Sequence, residues 1–313
     1  MLLTRALAAL GLPVNDPAAE RWRRRLAEEL PDAPADWCAL AAALVRSLAP
    51  DAATRSSAPW PRWNDVPPPF VLGIAGAQGS GKSTLARVLE HALRLAGANA
   101  AACSIDDFYL TRAERRRLAE TVHPRLATRG VPGTHDVALL ERTLRALGRR
   151  GETRLPSFDK GTDERRPRSA WRAVTGPLDV LVLEGWCVGA APEPPAALAE
   201  PVNDLEARED PDGRWREHVN GFLAGPYARL WRRLHGLVYL EVPGFAAVRR
   251  WRTEQEQALP AERRMDGAAL ERFIAHYERL TRWMLTQMPS RAPLVVRLDD
   301  AHRAVELRRN SQF

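Results

Sequence analysis

The sequence predicts an α/β fold: a mostly parallel sheet flanked by helices, preceded by an N-terminal helical segment. Three observations lead there. From Phe70 onward, short apolar runs alternate with amphipathic stretches, the pattern of strands covered by helices. The first such run, Phe70, Val71, Leu72 and Ile74, passes through a glycine-rich turn into helical spacing at Leu85, Val88, Leu89 and Ala92. Before it, residues 1–49 repeat large apolar side chains at helical spacing (Leu3, Leu7, Leu10; Trp22, Leu26, Leu30), and residues 50–69 are rich in Pro, Ser and Ala. The chain therefore divides in sequence into an N-terminal helical segment with its linker, 1–66, and an α/β domain, 67–313.

The elements follow in order. After the first strand and helix, residues 99–105 (NAAACSI) read as a short strand running into Asp106-Asp107-Phe108-Tyr109. Residues 111–120 read as a charged helix and 121–134 as a loop with Pro and Gly. Asp136 caps a helix reaching Arg149, with Leu139, Leu140, Leu144 and Leu147 on one face. Residues 154–168 (RLPSFDKGTDERRPR) read as irregular and highly charged. Leu178 to Glu184 is a buried strand, and 190–212, rich in Pro, Ala and acids, reads as an insertion. Residues 215–234 are helical and 237–242 (LVYLEV) form a strand. An arginine-rich helix starts at Phe245, a long helix lies within 265–288, and 294–298 (LVVRL) is a last strand with a short helix after it. There is no internal repeat.

The glycine-rich turn reads Gly76-Ala-Gln-Gly-Ser-Gly81-Lys82-Ser83, the G-x-x-x-x-G-K-[ST] pattern of a phosphate-binding loop. Its glycines let backbone N–H groups turn inward around a polyphosphate, and the following helix presents its N-terminus to the anion. Lys82 supplies a point charge for the β- and γ-phosphates, and Ser83 a hydroxyl for Mg²⁺. The nucleotide-binding set is then Gly76, Gln78, Gly79, Ser80, Gly81, Lys82, Ser83 and Thr84, with ATP and Mg²⁺ as cofactors.

Three further features carry chemistry. Glu184 ends a buried strand, where an acid holds or orients Mg²⁺ beside the loop, so Ser83 and Glu184 are the metal candidates. Asp106 and Asp107 follow the second strand, at the sheet's carboxyl edge where sites gather. One of them is placed to take the proton of an attacking hydroxyl. Arg249 and Arg252, on the helix after LVYLEV, would fold over the phosphates as a lid.

Charge and composition narrow the class. The chain has 313 residues and a net charge of +7, yet only two of its 46 basic residues are lysines, Lys82 and Lys160. A bias that broad reflects composition rather than nucleic-acid binding, and it draws attention to the second lysine. The basic run around Trp22 reads as a solvated helix face, so no nucleic-acid partner is expected. Cys38, Cys103 and Cys187 lack metal-ligand spacing and read as reduced, buried thiols. No apolar run approaches the ~20 residues of a membrane span. The N-terminus lacks a basic region ahead of its apolar stretch, so a cytoplasmic protein is expected.

Together, GAQGSGKST, SIDDFYLT (104–111), RGVPGTHD (129–136), LPSFDKG (155–161), GPLDVLVLEGW (176–186) and the VRRWR helix resemble the D-glycerate 3-kinase group of P-loop kinases. That group is related to uridine kinase, phosphoribulokinase and bacterial pantothenate kinase. The resemblance covers roughly residues 70–300. It implies a P-loop kinase fold and ATP–Mg²⁺-dependent phosphorylation of D-glycerate to 3-phosphoglycerate. By similarity with the uridine kinase pattern, Asp106 takes the role of base, with Lys82 and Glu184 beside it.

A glycerate site needs cations for the carboxylate. Arg129, His135, Lys160, Arg165 and Arg166 lie in the two irregular segments that would close over the acceptor, with Asp107 and Tyr109 nearby. A nucleoside would instead want aromatic surfaces, which Phe108, Tyr109, Phe158 and Trp186 offer. A kinase of a nucleoside or pantothenate-like acceptor, and a nucleotide-gated regulatory protein, are the alternatives. The partner expected is a small-molecule substrate; oligomeric state is left open.

Overall fold

The computed structural model describes residues 2–49, 59–261 and 264–310. Residues 50–58 of the expected linker lie outside the described residues. Three helices come first: α1 (Leu2–Ala9), α2 (Pro17–Glu29) and α3 (Ala35–Leu48). Then follow β1 (Phe70–Gly76), α4 (Lys82–Leu95), β2 (Ala100–Ser104), α5 (Arg112–Thr121) and α6 (Val137–Leu147). Four short strands come next: β3 (Gly151–Leu155), β4 (Phe158–Asp159), β5 (Glu164–Arg165) and β6 (Arg172–Gly176). The chain continues through β7 (Val180–Gly185), α7 (Asp204–Glu209), α8 (Arg214–Phe222) and α9 (Ala228–Trp231). It ends with β8 (Gly236–Glu241), α10 (Phe245–Gln257), α11 (Gly267–Arg291), β9 (Leu294–Leu298) and β10 (Ala304–Arg309).

The main sheet has the order β10-β9-β8-β1-β7-β2. All its pairings are parallel except β9 with β10. Alternation along the strands builds two cores. Phe70, Leu72 and Ile74 of β1, with Val180 and Val182 of β7, face the layer of α1–α4 and α10. Val71 and Ala75, with Leu181 and Leu183, face the layer of α6, α9 and α11.

The N-terminal helices share the first of these cores. Leu3, Leu7, Leu26, Leu40, Leu44 and Leu48 belong to the same buried cluster as Leu85, Leu89 and the β1 side chains. Buried Asp16 caps α2 through the N–H groups of Ala18 and Ala19, and accepts Arg46 Nε of α3 at 2.7 Å. A boundary at residues 66–67 thus divides the sequence but not the core.

Three expectations need correction. The stretch after β9 is not a short helix: residues 304–309 alternate outward and inward as an edge strand, which satisfies the backbone of β9. Residues 154–168 are not wholly irregular, because β3 pairs with β6 and β4 with β5. The helix expected over 215–234 ends at Trp231 and passes through one π-helical turn, Leu223–Tyr227, where Pro226 lacks the N–H to continue the α ladder. The three cysteines are free and buried. Among the described residues no helix is long and apolar enough to cross a membrane.

Candidate active site

The phosphate loop links β1 to α4 at the centre of the sheet's carboxyl edge. Gly79 and Gly81 both sit at φ +82°, a left-handed conformation that side chains resist. A Cβ on Gly76 would lie 2.6 Å from Ser80 Oγ, so this glycine is required by close packing. Among the described residues no side chain caps α4, whose first residues are Lys82, Ser83 and Thr84, leaving its N-terminal amides for an anion. Lys82 Nζ rests 3.4 Å from Ala77 O, curled over the loop. Gln78 and Thr84 are half-buried at its mouth.

Parallel register sets Glu184 opposite Ile74 on one side and Ser104 on the other. Ser83 Oγ donates to Glu184 Oε1 at 2.8 Å. Glu184 is buried, and among the described residues its Oε2 has no hydrogen-bond partner; the same holds for Ser80 Oγ. A buried carboxylate oxygen without a partner is costly unless a ligand meets it. A hydroxyl and a carboxylate beside a phosphate cradle form the oxygen-donor set that Mg²⁺ takes, so these residues fit that ion.

The acid pair separates into two roles. Asp107 Oδ2 accepts the N–H of Ser104, and Oδ1 that of Phe158, so both oxygens brace backbone. Burial raises its carboxyl above the usual range. Asp107 is thereby a brace between two backbone segments, a task apart from the acceptor contact expected of it. Asp106 instead meets functional groups: Tyr109 Oη donates to Oδ1 at 3.0 Å and Lys160 Nζ to Oδ2 at 2.6 Å. Burial opposes its ionisation, but Lys160, with Lys82 beyond it, holds the carboxyl below its ordinary value.

Tyr109 stacks on His135, with centroids 4.4 Å apart. His135 Nδ1 is 2.5 Å from Tyr227 Oη, and its buried Nε2 has no partner among the described residues. Burial drives the His135 pKa down to about 4, so the ring is neutral at physiological pH.

Like Lys160, the expected acceptor arginines are held by partners within the protein. Arg165 donates twice to Tyr109 O (3.1 and 2.7 Å) and reaches Asp136. Arg129 pairs with Asp163, donates to Lys160 O and lies over the Phe158 ring. Arg166 pairs with Asp159 at 3.4 Å. These arginines shape the walls of the site. Arg249 pairs with Glu271, and Arg252 with Glu256 and the Phe273 ring. The lid assignment is therefore not met by these contacts. Trp251, between them, is what touches the loop: a Cβ on Gly79 would lie 2.8 Å from Trp251 Cβ.

Several contributors escaped sequence reasoning. Trp37 of α3 packs on the loop, 3.1 Å from where a Cβ of Gly81 would stand. His302 stacks on Trp251 and its Nδ1 lies 3.0 Å from Gly79 O. Trp186 Nε1 donates to Gly130 O, and Tyr277 Oη to Arg129 O, fixing the 129–135 segment. Buried Arg115 pairs with Asp163 at 2.8 Å. Apart from Trp186, which the sequence offered as an aromatic surface, these residues lie far apart in the chain and carry no local motif.

Comparisons with known proteins agree with this geometry. The profile of the phosphoribulokinase/uridine kinase family matches residues 71–191. An uncharacterized kinase, mug58, of Schizosaccharomyces pombe is 35% identical over 67% of this chain and 78% of its own. The chloroplastic D-glycerate 3-kinase of Arabidopsis thaliana is 32% identical over 66% of this chain, and the match spans 44% of that longer protein. A D-glycerate 3-kinase structure from Cryptococcus neoformans aligns with 94% of this chain and all of its own at a TM-score of 0.64; at 23% identity that likeness is one of fold. On that profile match and the 35% identity to the mug58 kinase, the chain belongs to the phosphoribulokinase/uridine kinase family of P-loop kinases and is a phosphotransferase.

Proposed function

We propose that this protein transfers the γ-phosphoryl group of ATP to a hydroxyl of a small hydroxy acid, most specifically the 3-hydroxyl of D-glycerate, giving 3-phosphoglycerate. The observation that carries the choice of acceptor is the disposition of aromatic and cationic groups around Asp106. Phe108, Tyr109, Phe158 and Trp186, the surfaces a nucleoside would stack on, are all buried. Phe158 lies beneath Arg129, Tyr109 against His135 and Trp186 against Tyr277. Lys160 stands exposed at the base, suited to an acceptor carboxylate. The plant relative's assigned substrate supports the same reading.

Each residue then has a task. The loop amides and Lys82 hold the phosphates, and Ser83 and Glu184 would hold Mg²⁺. That ion supplies charge neutralisation at the β- and γ-oxygens when bound. Asp106 accepts the proton of the attacking hydroxyl, and Tyr109 fixes its orientation. His135, neutral, offers Nε2 as a hydrogen-bond partner for the acceptor. The N-terminal helices and the 299–303 turn hold the loop from outside through Trp37 and His302. We place the protein in the cytoplasm, without nucleic-acid or membrane partners.

The test is an ADP-release assay with ATP and Mg²⁺ across D-glycerate, uridine, pantothenate and no acceptor. D-glycerate should stimulate release far above the others. Equal or greater stimulation by uridine or pantothenate would transfer the site to that acceptor. Release that no acceptor stimulates would favour a nucleotide-gated role.

A further inference from the structure

Resting on the hydroxy-acid reading, we propose that Lys160 is a specificity latch. It keeps Asp106 a weak base until the acceptor's own carboxylate draws the ammonium away. The enzyme would thereby select anionic acceptors in turnover rate as well as in affinity.

The geometry divides a fixed base from a movable arm. Both Asp106 oxygens are engaged, Oδ1 by Tyr109 Oη at 3.0 Å and Oδ2 by Lys160 Nζ at 2.6 Å. Tyr109 is buried and stacked on His135, so its hydrogen bond stays. Lys160 differs. Its side chain is 62% exposed, and among the described residues Asp106 is the partner of its ammonium. The backbone beneath it is pinned: Asp159 Oδ1 accepts the N–H of Gly161 and of Thr162, and Arg129 donates to Lys160 O. A flexible four-carbon stem thus swings from a rigid turn. The neighbouring guanidiniums of Arg129, Arg165 and Arg166 are committed to Asp163, to Tyr109 O with Asp136, and to Asp159. Of these cations, Lys160 is the one paired with the base itself.

The energetics favour exchange with one class of acceptor. Taking an ammonium from Asp106 to another carboxylate replaces one ion pair by a similar one. A neutral acceptor offers no such replacement, so the pair would have to break without compensation. While the ammonium stays, Asp106 is a poorer proton acceptor. Once it leaves, Oδ2 receives the proton of the acceptor hydroxyl as the oxygen–Pγ bond forms. The bond from Pγ to the β,γ-bridging oxygen of ATP breaks, ADP departs with that electron pair, and the proton passes from Asp106 to solvent.

The experiment compares D-glycerate with D-glyceramide, its neutral carboxamide, in steady-state assays on the full chain. Wild-type protein should turn over D-glycerate with a much higher kcat than D-glyceramide. In Lys160→Ala the D-glycerate KM should rise, while kcat for D-glyceramide rises by on the order of 10-fold or more as the base is unmasked. The ratio of the two kcat values should fall toward one. Lys160→Gln, which keeps length and polarity, carries the same expectation should the alanine variant fold poorly. A kcat ratio unchanged from wild type, or equal loss of kcat for both acceptors, would overturn the latch while leaving the kinase reading intact. Wild-type protein that does not phosphorylate D-glycerate would instead overturn the hydroxy-acid reading, and the latch with it.

Discussion

Asp106 and Asp107 are adjacent acids whose replacement by asparagine should produce opposite phenotypes. Asp107 accepts one N–H at 3.2 Å and another at 3.3 Å. Asparagine keeps one accepting oxygen but turns an NH₂ toward the other amide, so one charge-assisted bond is lost and two donors face each other. A lost hydrogen bond to a charged group costs about 1.5–3 kcal/mol. For a chain of this size that lowers the melting temperature by roughly 2–5 °C. Asp107→Asn should therefore melt earlier with kcat changed less than about tenfold, since no reacting group touches it. Asp106→Asn should do the reverse. Its partners are Tyr109 Oη and the exposed Lys160, so stability should move by less than about 1 kcal/mol. Loss of the general base should lower kcat by on the order of 10²–10⁴. The assays are differential scanning fluorimetry and a coupled ADP assay on the two variants. An Asp107→Asn protein that melts like wild type but has lost turnover would refute this division of labour.

Glu184→Gln should lower kcat by on the order of 10²-fold and raise the Mg²⁺ concentration for half-maximal activity. An unchanged Mg²⁺ titration would remove Glu184 from the metal site. A chain beginning at residue 66 should be insoluble or melt without cooperativity, because removing α1–α3 uncovers Leu85, Leu89 and the β1 side chains they share a core with. A soluble fragment with a sharp, nucleotide-responsive melting transition would contradict that. The stability of the whole protein should fall on acidification. The folded pKa of His135, about 4, lies below its unfolded value of 6.5, so protons bind the unfolded chain more tightly. The loss begins below pH 6.5, is complete below about pH 4 and amounts to about 2 kcal/mol between pH 7 and pH 5. Buried His276, also pushed down, adds to it. Denaturant titrations should show that slope reduced by about 2 kcal/mol in His135→Gln; an unreduced slope would mean His135 is not the neutral buried ring described.

The sequence made legible whatever physics writes locally. The phosphate loop was readable because its glycines, lysine and serine must occur in that order over eight residues. Glu184 was readable because an acid ending an apolar strand beside such a loop is costly without a ligand. Lys160 stood out through the near-absence of other lysines, although its hydrogen bond to Asp106 spans 54 positions. What stayed hidden depends on tertiary contact. Asp106 and Asp107 are chemically alike, and only the turn from Ser104 to Phe108 decides which one faces the site. Arg249 and Arg252 looked free because Glu271 and Glu256 carry no pairing signal in the sequence. Trp37 reads as one more apolar residue of a helix, yet it packs on the loop from the far side of a proline-rich stretch. The edge strand β10 hides in the sequence because AVELRR is too short for either period to dominate.

The measurement closest to the central claim is ³¹P NMR of the protein with ATP, Mg²⁺ and D-glycerate. The account predicts a new phosphomonoester resonance growing with ADP, split into a triplet by the two C3 protons of 3-phosphoglycerate. A doublet would place the phosphoryl group on the C2 oxygen, and inorganic phosphate alone would mean the nucleotide is hydrolysed without transfer. Either outcome would contradict transfer to the 3-hydroxyl of D-glycerate.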